Sequence, residues 1–109
     1  MLNQFDHCLA KCPAEVVAMF EQLHQLICNS APTTPTQTLW AKLPTYQVGD
    51  AFVRLIPFKD HVNIEAKAVA QNQHLLDGYK VTPKGMLQIF VGQPIPTQAL
   101  VKIFAETLA

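Results

Sequence analysis

Apolar residues recur along the first third of the chain at the spacing of one helix face. After Pro13, Val16, Phe20, Leu23 and Ile27 follow one another at intervals of four, three and four, and Val17, Met19 and Leu26 widen the stripe. Pro13 suits the first position of such a helix, where its missing N–H has no partner to lose. Asn29-Ser30-Ala31-Pro32 ends it, because the residue before a proline is pushed out of the helical region. A shorter leading helix is expected over residues 2–10, and residues 33–38, polar and carrying Pro35, read as a loop.

The period then changes from about four to two. Residues 45–48 and 51–56 alternate around Gly49-Asp50, and a glycine opening a two-residue loop predicts a type II′ hairpin turn. A third strand, residues 61–65, follows a tight turn at Phe58-Lys59. Two-residue loops then pair Val48 with Ala51, Tyr46 with Val53, Leu55 with Val62 and Val53 with Ile64, all on the face that covers the helices. The opposite face carries Thr45, Gln47, Phe52, Arg54, Ile56, His61, Asn63 and Glu65, with Arg54 expected opposite Asn63. Residues 66–76 read as a helix stopped by Gly78. Strands are expected at 79–81 and 86–90, around the turn at 82–85, and Pro96 opens a last helix with Leu100, Ile103, Phe104 and Leu108 as its core stripe. The sum is one α+β domain over residues 1–109, with two layers: an antiparallel sheet of about five strands packed against N- and C-terminal helices.

Composition narrows the partners. Half of the 109 residues are hydrophobic, enough for one core, and eight basic side chains balance eight acidic ones. A neutral chain lacks the broad positive field that gathers nucleic acid or anionic membrane, so neither is expected as a partner. No apolar run approaches the ~20 residues needed to cross a bilayer, and residues 1–6 show no signal-peptide pattern. The three cysteines, Cys8, Cys12 and Cys28, are odd in number and crowded near the start, which points to reduced thiols in a cytoplasm.

Two groups of side chains carry candidate chemistry. Glu21, His24 and Cys28 share a helix face at spacings of three and four, a donor set for a transition metal or loosely held iron; the alternative is the helix's solvent-facing edge. His7, Cys8 and Cys12 lack the second ligand pair that structural zinc needs. On the sheet's open face Arg54, His61 and Asn63, with Lys59 at the adjacent turn and Trp40 nearby, bring together a planar fork for anions, a titratable imidazole and an amide. The alternative there is a solvated face of cross-strand polar pairs. Nucleophile elbow, phosphate loop, HExxH and CxxC are all missing, so no enzyme is expected; His61 with Glu65 is the one acid–base pair the pattern offers. Phe52 and Ile56 on that face leave room for a homodimer.

From Leu39 onward the chain resembles the YdhG-like family of small bacterial domains. The match rests on Leu43-Pro44-Thr45-Tyr46, Phe58-Lys59-Asp60-His61, Gly78-Tyr79-Lys80, Lys84-Gly85 with Gln88-Ile89-Phe90, and Pro94-Ile95-Pro96. Their order and spacing follow the family over about residues 3–108; the Lys-x-His element is the most distinctive. Family members often carry an aromatic residue and a glycine where Ala41-Lys42 stands here. The resemblance implies a frataxin-like two-layer fold and, as the role suggested for the family, iron chaperoning for cluster assembly. In this chain that role falls to Glu15, Glu21 and His24 with outer-face acids. The residues themselves favour a non-enzymatic binding domain that holds a small anionic ligand or a protein partner on the open sheet face.

Overall fold

The computed structural model describes residues 5–109. A short helix α1 (Asp6–Leu9) leads into α2 (Ala14–Ser30), and α3 (Thr97–Thr107) closes the chain. Between them lie β1 (Thr36–Trp40), β2 (Leu43–Val48), β3 (Ala51–Pro57), β4 (His61–Ala66), a 3₁₀ segment (Lys67–Leu75), β5 (Lys80–Val81) and β6 (Leu87–Phe90). The six strands form one antiparallel sheet in the order β1-β2-β3-β4-β6-β5. Helices α2 and α3 pack on each other and on β3 and β4, so the two-layer α+β architecture holds, with six strands rather than five.

The two helix stripes do what their spacing requires. Val16, Phe20, Leu23 and Ile27 of α2 and Leu100, Ile103, Phe104 and Leu108 at α3 are all fully buried, against Tyr46, Val53, Leu55, Val62, Ile64, Leu87 and Ile89 of the sheet. Each such side chain contributes roughly 1.5–3 kcal/mol by leaving water. Pro13 sits one position earlier than expected, as the cap of α2, with ψ at 159°. Residues 2–4 of the expected leading helix lie outside the described residues; Phe5 just before α1 is buried edge-on against Phe20 and Tyr46.

Three expectations need correcting. Residues 36–38, expected in a loop, open a strand that runs over 36–40. Trp40 pairs with Leu43 across a two-residue turn in which Ala41 (φ 50°) and Lys42 (φ 67°) both take left-handed backbone, the signature of a type I′ turn built without glycine. The Gly49-Asp50 hairpin is as read, with positive φ at Gly49 alone and Tyr46 opposite Val53. The next hairpin turns at Lys59-Asp60, where Phe58 N–H donates to the His61 carbonyl at 2.8 Å. Its register is therefore two residues away from the expected one. Leu55 faces Ile64, Val53 faces Ala66, and Arg54 lies opposite Glu65, while Asn63 faces Ile56. A shift of two keeps every side chain on its face.

The expected helix after β4 is also absent as such. It is a 3₁₀ segment broken at Asn72 (φ −117°). Asn72 Nδ2 donates to the Ala68 carbonyl at 2.8 Å, taking with its side chain the acceptor four residues back that an α-helical N–H would use.

Candidate functional site

The helix-free face of the sheet holds two stacked assemblies. In the first, Arg54 leaves β3 between two aromatic neighbours. Its guanidinium carbon lies 4.2 Å from the Trp40 ring centroid and 4.2 Å from that of Phe52. Pairing explains the convergence: Thr38, Thr45, Arg54 and Glu65 lie in one row across four strands, Trp40 and Phe52 in the rows on either side. Arg54 Nη1 donates to Glu65 Oε1 at 2.9 Å, and Nε donates to Thr45 Oγ1 at 3.1 Å, which donates in turn to the Leu43 carbonyl at 3.0 Å. Arg54 is only 7% exposed. Two of its five N–H groups are thus spent inside the protein and the group is buried, so the open anion receptor expected of it is not what the fold builds.

In the second assembly, His61 at the start of β4 is stacked between Phe58 and Phe90, with ring centroids 4.5 and 4.7 Å away and interplanar angles of 10° and 28°. Its Nδ1 lies 2.7 Å from Asp60 Oδ1. A carboxylate only accepts, so Nδ1 carries the proton of this bond. Two rings and one carboxylate fix the plane and orientation of this imidazole before any partner arrives.

Asn63, between the assemblies, donates weakly from Nδ2 to Met86 Sδ at 4.0 Å, and its Oδ1 has no hydrogen-bond partner among the described residues. Lys59 is exposed at the turn beside His61. The five residues expected on this surface are therefore all on it, but in two groups rather than one pocket: Trp40 with Arg54, and His61 beside Lys59. Phe52 was expected on this face; its stacking on Arg54, and Phe58 and Phe90 as the rings that hold His61, were the part sequence reasoning did not assign. The two-residue spacing of Phe52 and Arg54 on β3 was the available signal; Phe58 and Phe90 meet His61 only through strand pairing.

The helix-borne metal donors do not converge. Glu21 is exposed on α2. His24 is half-buried and engaged within the protein, with Nδ1 2.7 Å from the hydroxyl of the fully buried Tyr46 and Nε2 3.9 Å from Cys28 Sγ. Tyr46 has no other polar partner among the described residues, so its hydroxyl donates to Nδ1 and Nε2 keeps its proton toward the sulfur. Burial pushes the His24 imidazole down and the Cys28 thiol up, holding both neutral. All three cysteines are free, and among the described residues no three His, Cys, Asp or Glu side chains come together as metal ligands. The iron expectation gains no geometry here. Among the same residues no helix is long and apolar enough to cross a membrane.

No family model, curated protein or solved structure matches this chain.

Proposed function

We propose that this chain is a small binding domain of the YdhG-like kind, non-enzymatic, that takes a protein partner on the uncovered face of its sheet. One observation carries the reading: helices cover only one side of the sheet, and the other leaves Trp40 58% and Phe58 42% exposed, each stacked on an immobilised, hydrogen-bonded cationic or imidazole group. Interfaces concentrate their energy in aromatic and arginine anchors at a preorganised centre, inside a polar rim. Here the rings are held by Arg54 and His61, so little side-chain entropy remains to be lost when they are covered. Exposed Lys42 and Lys59 in the β1–β2 and β3–β4 turns supply part of such a rim.

The test uses two immobilised baits, wild type and Trp40→Ala/Phe58→Ala, incubated with extract of the source cells. A protein retained by the wild type and released by the double variant, then shown with purified components to bind at least tenfold more weakly to the variant, supports the reading. Equal retention on both baits removes the face as the site.

A further inference from the structure

At the margin of the open face, where β3 begins, β4 ends and the 3₁₀ segment starts, the surface sinks into a cavity of about 270 Å³. The hollow exists because Ala51, Ala66 and Ala70 present only methyl groups where larger side chains would close it. Phe52 forms one wall, and it is a fixed wall, since its ring is held against the Arg54 guanidinium at 4.2 Å.

The charge at this cavity is not balanced. Lys67 and Lys84 both line it, both are exposed, and neither has an ion-pair partner among the described residues. Of the two carboxylates that line it, Glu65 is tied to Arg54 Nη1 at 2.9 Å and is neutralised there, and Glu106 of the adjoining hollow is paired with Lys102. Asp50, in the β2–β3 turn, is the remaining acid. Two ammonium groups against one uncommitted carboxylate leave a net positive mouth over a mostly apolar floor. An apolar concavity with a few converging charges is the usual form of a small-molecule site, and its volume suits a single ring rather than a dinucleotide.

We infer that this cavity binds a small aromatic anion, one ring bearing a carboxylate or phosphate, with the ring against Phe52 and the anionic group between Lys67 and Lys84. Lysine acts on such a group as a mobile point charge, so either oxyanion is accommodated. This extends the reading of the open face, which it meets at Phe52, but it uses different residues from the Trp40 and Phe58 anchors, and the two readings fail separately.

The probes are phenyl phosphate and benzoate, with inorganic phosphate and phenol as controls for charge without ring and ring without charge. Each is titrated into the full chain labelled with ¹⁵N while backbone amides are followed. Saturable shifts confined to Phe52, Lys67, Lys84 and Gly85, at least tenfold tighter for an aromatic anion than for either control, are expected. Lys67→Ala/Lys84→Ala, with its remaining spectrum unchanged, raises the dissociation constant at least tenfold; Trp40→Ala/Phe58→Ala leaves it within twofold. Shifts that do not saturate, shifts shared with Lys59 and Lys80, phosphate binding as tightly as phenyl phosphate, or undiminished binding by the lysine variant would each overturn the assignment.

Discussion

The guanidinium carbon of Arg54 lies 4.2 Å from the ring centroid of Trp40, the only tryptophan of the chain, so the exposed indole caps a charge that is itself out of water. The relationship reverses the natural expectation for an arginine on an open sheet face. Arg54 does not wait for an anion. It holds Trp40 and Phe52 in place and fastens β3 to β2 through Thr45 and to β4 through Glu65.

Arg54→Ala is therefore a stability mutation before it is a binding mutation. Hydrogen bonds to a charged group are worth about 1.5–3 kcal/mol and each cation–π contact about 0.5–1 kcal/mol, and Glu65 keeps access to water after the loss, so a net cost of ~3 kcal/mol is expected. Arg54→Lys recovers less than half of it, because an ammonium cannot lie flat between two rings while serving two acceptors. Urea unfolding followed by far-UV circular dichroism measures both. A loss below about 1 kcal/mol for alanine would return Arg54 to the status of a free surface charge.

The β1–β2 turn makes the opposite prediction. Ala41 and Lys42 both sit at positive φ, and left-handed backbone costs a residue with a Cβ roughly 1–2 kcal/mol. Asn-Gly is the pair this turn type prefers. Ala41→Asn/Lys42→Gly is expected to raise stability by about 1 kcal/mol, after the ~0.5–1 kcal/mol that glycine loses through its freedom in the unfolded chain. The urea midpoint reads the gain, and an unchanged or lower midpoint would show that the strain is relieved by something else.

That same turn explains what the sequence concealed. Leu39, Trp40 and the threonines of β1 alternate weakly, and Ala41-Lys42 carries none of the glycine, asparagine or aspartate that announces a hairpin, so the strand reads as a loop. Where the turn chemistry was explicit, as at Gly49-Asp50, the pairing of Tyr46 with Val53 was legible to the residue. The β3–β4 turn lies between these cases. Neither Phe58-Lys59 nor Lys59-Asp60 contains glycine, and the choice between them decides whether Arg54 meets Asn63 or Glu65. Period-two alternation fixes faces, and so it placed Arg54, His61 and Asn63 together on the open side. It is blind to shifts of two, which change every partner and no face. The His61 stack depends on that register and the Trp40 side of the Arg54 stack on β1, a strand the pattern did not announce, and that is why the two aromatic sandwiches emerged only in three dimensions.

Tyr46 and His24 show how a polar pair enters the core. The tyrosine hydroxyl is buried and, among the described residues, its one acceptor is the imidazole 2.7 Å away. Tyr46→Phe removes the donor and leaves a half-buried nitrogen that water still reaches, which predicts a loss of about 1 kcal/mol. His24→Ala strands the hydroxyl itself in the core and is expected to cost more, about 2 kcal/mol. Chemical denaturation of the two variants side by side gives the order, and the reverse order would mean that the hydroxyl has another acceptor.

Acid stability tests the contact that ties α3 to the 3₁₀ segment. Glu106 accepts from Lys102 Nζ, from Asn72 Nδ2 at 2.9 Å and from Gln71 Nε2 at 3.0 Å. These donors, the lysine first and then the asparagine and glutamine, favour the carboxylate and pull its pKa from 4.5 down to about 2. A folded-state pKa below the unfolded one means that the native state holds the proton less tightly. The stabilisation is then complete above the unfolded value of 4.5, declines as the pH falls toward 2, and is gone once both states are protonated. The other carboxylates titrate in the same range, so the difference between wild type and Glu106→Gln isolates this one. The gap in their urea midpoints should be widest at pH 6 and close progressively between 4.5 and 2. Because the group is exposed to solvent, 1 M salt should narrow the gap at pH 6 as well, by screening the lysine contact. A gap constant with pH would mean that Glu106 acts through its packing and amide partners alone.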